Sequence, residues 1–297
     1  MPELPEVEAL ALDLRSRLHD RAITKIHLVQ FSALKTYDPP LSALEGTLVD
    51  DVRRHGKFLD LEASGVHLVM HLARAGWVRW RDEVPAVPPR PSTKSTLAAR
   101  IVLDDEGSDS SAGLDITEAG TKKSLAIYVV GDPQDVPGIA TLGPDPLTDD
   151  FTPARLREIL LAQGKKQIKG VLRHQGTIAG IGNAYSDEIL HAAKMSPFKP
   201  ADALLNPGAD AELDTLYTAI RTTLGDAVER SRGLAASELK GEKKSHMAVH
   251  GRTGLPCPVC GDTVREVSFA DSSLQYCPTC QTGGKPLADR RLSKLLK

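Results

Sequence analysis

The chain has 297 residues, of which 41% are hydrophobic, and its formal net charge is −2. That length predicts one large or two ordinary domains with real cores, and the near-neutral balance excludes a global basic field of the kind that attracts nucleic acid. No apolar run reaches membrane-span length and no charged-then-apolar signal segment opens the chain, so a soluble, intracellular, cytoplasmic protein without a membrane partner is expected. Charge is nonetheless clustered. Acidic residues gather at 104–109, and basic ones at 53–57, 165–174, 240–252 and 285–297. Binding follows such local clusters rather than their sum.

The opening, Met1-Pro2-Glu3-Leu4-Pro5-Glu6, combines two prolines with two carboxylates. Pro2 is small enough for Met1 to be removed, which would leave Pro2 as the terminal amine. An α-amine titrates near ~8, against ~10.4 for lysine, so part of it is an unprotonated nucleophile near neutral pH. Such an amine can attack a carbonyl carbon, or a sugar carbon that has lost its base, and hold the product as an iminium. Glu3 stands beside it as a proton shuttle. The competing reading is a plain helix start, with proline in the first turn and glutamate near the positive end of the dipole.

Val7, Leu10, Leu14 and Leu18 lie on one stripe of a helix predicted over 5–19. Strands are predicted at 23–30, 48–54, 57–63, 66–72, 76–81, 97–103, 114–118 and 124–130. A proline-rich loop (84–95) and an acidic Ser/Gly-rich loop (104–112) interrupt them. This half reads as a β-sandwich or barrel with one helix packed on it. Proline and glycine punctuate 131–148, which marks a domain boundary. Helices follow at 154–162, with Thr152 as cap and Pro153 in the first turn, and at 166–173, 183–193 and 209–231. The turn Ala179-Gly180-Ile181-Gly182-Asn183 exposes backbone N–H groups before a helix, which suits a phosphate.

The four cysteines, Cys257, Cys260, Cys277 and Cys280, form two Cys-x-x-Cys pairs around a predicted short hairpin, 263–269 with 273–276. That is zinc-site spacing, and four thiolates close the site, so one structural zinc is expected rather than a catalytic one. Disulfides are disfavoured in an intracellular chain.

Taken together, Pro2-Glu3-Leu4-Pro5-Glu6-Val7-Glu8, Gly180-Ile181-Gly182-Asn183, and the paired Cys-x-x-Cys with His250-Gly251-Arg252 before and Gln281 after resemble the formamidopyrimidine-DNA glycosylase / endonuclease VIII family, in order and over nearly the whole chain. Leu4 makes the opening more similar to the formamidopyrimidine branch. The resemblance implies an α+β multidomain fold: an N-terminal β-sandwich with a flanking helix, then a helical helix–two-turn–helix domain plus a zinc-finger β-hairpin. The expected bounds are 1–132 for the catalytic sandwich, 133–150 for a linker, 151–247 for the DNA-binding helices, 248–284 for the finger and 285–297 for a basic tail. It also implies a DNA repair glycosylase with AP lyase activity, acting on oxidised or ring-opened bases through an N-terminal proline Schiff base. The partner would be double-stranded DNA with damaged bases or abasic sites, met at the nucleoid, with a monomer as the default.

By resemblance, Pro2 is the nucleophile, Glu3 the general acid/base, Glu6 a second positioning carboxylate and Lys57 a phosphate-binding lysine. His71 and Lys169 fall on positions that touch the DNA backbone, and Asn183 on one that holds a phosphate beside the extruded nucleotide. The bland alternatives are a helix cap for Glu6, an edge-strand charge for Lys57, a core histidine for His71, a solvated charge for Lys169 and an N-cap for Asn183. The chain also departs from the family pattern. Ser272, next to Asp271, stands where the finger carries an arginine. Arg74 replaces a wedge methionine. Gly120-Thr121-Lys122-Lys123-Ser124 replaces an Arg-Arg-Phe wedge, with Lys123 in the place of the arginine that pairs with the orphaned base. The segment 232–250 has no match to a lesion-covering loop, and Lys240, Lys243 and Lys244 read as backbone contacts. These changes argue against a strict 8-oxoguanine-opposite-cytosine preference. Two other readings stand beside the enzyme: a catalytically weak lesion- or abasic-site-binding protein of the same fold, and a zinc-ribbon adaptor with an unrelated N-terminal domain.

Overall fold

The computed structural model describes residues 2–104, 111–269 and 272–288. Met1, most of the expected acidic loop, Asp271 and most of the basic tail lie outside the described residues. The chain divides into two compact units, Met1–Thr141 with Arg230–Gly241, and Leu142–Glu229 with Glu242–Lys297.

In the first unit, helix α1 (Leu4–Leu18) buries the expected stripe, Val7, Leu10, Leu14 and Leu18, each at most 2% exposed. Eight strands follow: β1 (Ile23–Leu28), β2 (Val49–His55), β3 (Phe58–Ala63), β4 (Val66–His71), β5 (Gly76–Arg81), β6 (Leu97–Leu103), β7 (Gly113–Glu118) and β8 (Ala126–Val130). They form two antiparallel four-stranded sheets, in the orders β1-β6-β7-β5 and β2-β3-β4-β8. Their facing side chains and the α1 stripe share one core that includes Val52, Leu61, Met70, Ile101, Ile116 and Ile127. The architecture is therefore a sandwich with a flanking helix.

The α1 helix runs antiparallel to β2. Arg15 near its end donates to Val52 O at 2.9 Å, while Glu8 near its start meets Arg54 at 2.6 Å. The helix start thus lies toward the β2–β3 hairpin, where His55 pairs with Phe58 across a Gly56-Lys57 turn. Gly56 takes φ +57, a conformation glycine adopts without a Cβ penalty. Strand β8 begins later than the periodicity suggests. The N–H groups of Ser124 and Leu125 donate instead to the buried carboxylate of Glu118, at 2.8 and 3.1 Å. A short helix α2 (Pro137–Ala140) closes the segment.

The second unit holds α3 (Pro153–Gln163), α4 (Ile168–Arg173), α5 (Asn183–Ala192) and α6 (Asp210–Ser231). Thr152 caps α3 by accepting the Arg155 N–H at 3.1 Å, with Pro153 in the first turn. The helix α7 (Leu239–Ser245) carries the chain from the first unit into the second; it was not expected, because its sequence LKGEKKS has one buried apolar residue and hence no stripe. Strands β9 (Arg265–Ser268) and β10 (Ser273–Tyr276) form the expected hairpin, followed by one short helix α8 (Pro278–Thr282).

The β4–β5 connection is a close-packed turn in which Gly76 N–H donates to Leu72 O at 2.8 Å and Ala73 takes φ +51. A Cβ at position 76 would lie 2.2 Å from that carbonyl oxygen. Gly76→Ala must open the turn and is expected to cost about 1–3 kcal/mol, the range for a strained backbone site, read as a lowered denaturant midpoint.

Candidate functional site

The strand registers bring the sequence-derived residues of the first unit to one end of the sandwich. Phe58 lies opposite His71, His71 opposite Ala126, and Gly76 opposite Glu118. Hence the Gly56-Lys57 turn, the end of β4, the 72–75 turn and the 119–125 loop emerge together. The start of α1 points to the same end.

At that start, Pro2 is buried, and the next residues form a reciprocal capping box. The Glu3 carboxylate accepts the backbone N–H of Glu6, and the Glu6 carboxylate accepts the Glu3 N–H at 2.7 Å. Glu3 is 2% exposed and Glu6 fully buried. The helix-start reading is thus realised in full. It also fixes a carboxylate directly beside Pro2, so the two readings are compatible. The positive end of the helix dipole favours both anions.

Lys57 and His71 are neighbours. The His71 ring sits 4.7 Å from the Phe58 ring, centroid to centroid. Burial pushes the imidazole below its ordinary range, and the Lys57 ammonium pushes it in the same direction. His71 is therefore neutral near pH 7, half-buried against an aromatic rather than enclosed in the core. Arg74 is exposed at the tip of the 72–75 turn, and Lys122 is exposed on the adjoining loop, tied to it by Ala119 N–H to Ala75 O at 3.1 Å. Lys123 lies on the same loop and is half-buried. Its ammonium turns back to the Glu118 carbonyl at 2.5 Å and so closes its own loop.

In the second unit, the glycine turn before α5 is clamped by Gln175, which the sequence reading missed. Its carboxamide accepts Gly180 N–H at 3.0 Å and donates to Ile181 O at 2.7 Å. Gly182 is the cap of α5, so Asn183 is not an N-cap but the first helical residue. Asn183 Nδ2 donates to Ser273 O at 2.8 Å, while the side-chain Oδ1 of Asn183 is buried without a hydrogen-bond partner among the described residues. Lys169 is neither a solvated charge nor turned outward. Its ammonium is buried against Asp187 at 2.6 Å, Ser186 Oγ at 2.7 Å and Asn183 O at 3.2 Å. It braces the first turn of α5 because Asp187, fully buried, requires a counter-charge. Of the lysines in 240–244, Lys243 packs over the Tyr185 ring at 4.5 Å.

Two neighbouring acids escaped the sequence reading and bind the finger to α5. Asp187 pairs with His250 at 2.8 Å, and Glu188 accepts the backbone N–H groups of Ala248, Val249 and His250 at 2.7–3.0 Å. Burial, against the pull of those donors, holds Glu188 above the usual carboxylate range. Gln281 accepts Cys277 N–H at 2.9 Å and donates to Met195 O at 3.0 Å, which joins the finger's last helix to the end of α5.

The four cysteine sulfurs all lie within 4.8 Å of one another. Cys260 and Cys277 sulfurs are 3.3 Å apart, and those of Cys257 and Cys280 3.9 Å. Disulfide sulfurs sit at about 2.05 Å. A tetrahedral site with Zn–S near ~2.3 Å puts sulfurs ~3.8 Å apart. The donor set therefore fits one structural zinc, and it leaves no ligand position for chemistry. His191 adds a ring nitrogen 3.3 Å from Cys257 Sγ, the sort of contact that orients a ligand thiolate.

Three family models match in chain order: the formamidopyrimidine-DNA glycosylase N-terminal domain over residues 1–112, the glycosylase H2TH domain over 142–238, and a zinc finger found in these enzymes and isoleucyl-tRNA synthetases over 254–283. A formamidopyrimidine-DNA glycosylase of Symbiobacterium thermophilum is 34% identical, over 98% of this chain and 93% of its own length. The chain belongs to the formamidopyrimidine-DNA glycosylase family. An uncharacterized glycosylase-like protein of Mycobacterium tuberculosis is 61% identical over 52% of this chain and 94% of its own. The crystal structure of the Lactococcus lactis glycosylase, non-covalently bound to DNA containing an AP site, superposes with a TM-score of 0.78 at 25% identity, over 94% of this chain and 99% of that one. The chain thus has the fold of the DNA repair glycosylases, and the match over 1–112 removes the adaptor with an unrelated N-terminal domain. Among the described residues no helix is long and apolar enough to cross a membrane.

Two outcomes follow. Elemental analysis should give one zinc per chain. Cys277→Ser should lose it and unfold the finger while the first unit keeps its own melting transition. In an NMR titration His71 should protonate below its ordinary value, and Lys57→Met should move the midpoint up. Because the folded value is depressed, the unfolded chain binds the extra proton, so His71 should lower stability as pH falls below about 6.5.

Proposed function

We propose that the chain excises damaged, oxidised or ring-opened bases from double-stranded DNA and then nicks the strand, as a bifunctional DNA glycosylase and AP lyase. With Met1 removed, the Pro2 amine attacks C1′ of the damaged nucleotide. The glycosidic bond breaks, and the base leaves with the bonding electrons. Glu3 manages the protons, and opening of the sugar gives an iminium between Pro2 and C1′. Loss of a proton from C2′ then expels the 3′ phosphate, a second elimination expels the 5′ phosphate, and water releases Pro2.

The observation that carries this reading is the buried Glu3 carboxylate, held by the capping box immediately after Pro2, in a chain of this family. Lys57, His71, Arg74 and Lys122, at the same end of the sandwich, supply cations and donors for phosphates and for a vacated stack. Asn183, at the start of α5, is the phosphate contact of the second unit, with Lys169 bracing the turn that bears it. A DNA partner is supported by the AP-site complex of the Lactococcus lactis relative. The weak lesion-binding alternative draws its support from Ser272, where an arginine clamp would be expected.

Borohydride trapping decides between them. Protein whose loss of Met1 has been verified by mass is mixed with a duplex bearing one abasic site, and borohydride is added. A covalent protein–DNA band is expected for the wild type and should vanish in Pro2→Gly, while on a second duplex carrying an oxidised base Glu3→Gln should lose base release. Tight binding with no band and no nick would favour the sensor.

A further inference from the structure

Arg53 and Arg54 are adjacent in sequence and read together as part of a basic cluster, but alternation along β2 gives them opposite fates. The Arg53 side chain is 51% exposed and pairs with Asp51 and Glu62 at the surface. The Arg54 side chain is 7% exposed. Its Nε donates to Glu8 Oε2 on α1 at 2.6 Å, and its Nη1 donates to the carbonyl of Gly56 at 3.3 Å. One buried guanidinium therefore ties the helix that begins at Pro2 and Glu3 to the turn that presents Lys57. Removing it would leave the carbonyl of the buried Gly56 short of a donor and would break the ion pair of Glu8, whose side chain is 28% exposed.

We infer that Arg54 is a positioning residue of the proposed active site, setting the Pro2–Glu3 helix start against the Lys57 turn without touching DNA itself. The inference rests on the proposed glycosylase and lyase reading. Its physical basis is the fork of the guanidinium, which fixes two acceptors in one plane. A lysine carries one point charge and satisfies one of them well. Displacement of reacting groups by about 1 Å can cost on the order of 10²-fold in rate while binding persists.

The full chain, with Met1 removed, is compared with Arg54→Gln, Arg54→Lys and Glu8→Gln on a duplex carrying one abasic site. Single-turnover nicking at saturating protein, borohydride-trapped yield, and Kd at several salt concentrations are measured. Arg54→Gln is expected to slow nicking on the order of 10²-fold, with Kd and its salt slope unchanged. Arg54→Lys should recover part of the rate, and Glu8→Gln should show a smaller loss of the same kind. If Arg54→Gln does not fold, the Lys and Glu8 variants decide the matter.

Nicking at the wild-type rate in the folded variants would overturn the inference. So would a salt slope reduced by about 1, the mark of a cation that contacts phosphate. A wild-type chain that neither traps nor nicks would remove the proposed function itself, whereas an active wild type with equally active variants removes only the role of Arg54.

Discussion

The direction of α1 over the sandwich is the constraint on which the first unit depends. Its apolar stripe sets which face meets the core, and the ion pair of Glu8 with Arg54 and the contact of Arg15 with Val52 fix its direction along β2. Once the helix lies antiparallel to β2, its first residues must arrive beside the β2–β3 hairpin. The remaining residues of that end follow from hydrogen-bond register. A one-residue slip of β4 against β3 would turn His71 to the opposite face and take it away from Phe58, its partner across the ladder. The site is thus a by-product of core packing, assembled from loops that a rigid scaffold delivers to one place.

The second unit is organised by charge rather than by a stripe. Asp187 and Glu188 are adjacent, buried acids on α5, and each is costly to leave unmet. Asp187 is met by Lys169 and His250, and Glu188 by three backbone N–H groups of the segment entering the finger. These bonds orient the glycine turn and the zinc hairpin relative to each other within that unit. The zinc site fixes only the hairpin's own geometry. It has no open ligand position, so its contribution is to hold shape.

The departures from the family pattern are concentrated on side chains that face outward, and the structure explains how the fold absorbs them. Ser272 accepts the Phe269 N–H through its backbone carbonyl, so the hairpin turn closes without an arginine. The shape of the 119–125 loop, where the resemblance implied an aromatic, is set by Glu118 from within.

Much was legible from the sequence alone, because local rules are strong where they repeat. The α1 stripe, the Thr152 cap, the alternating strands and the paired Cys-x-x-Cys each encode a structure through periodicity or ligand spacing. The opening MPELPE read both as a helix start, which the capping box realises, and as the reactive terminus proposed above, since both need the same residue types. What the sequence left open was the destination of individual charges. Arg53 and Arg54, or Lys122 and Lys123, look equivalent in a string, and Lys169 reads as a surface cation. Only tertiary structure decided that Arg54, Lys123 and Lys169 turn inward while their neighbours face water. Burial of a charge depends on which carboxylate or carbonyl another element brings to it, and those partners lie up to tens of residues away.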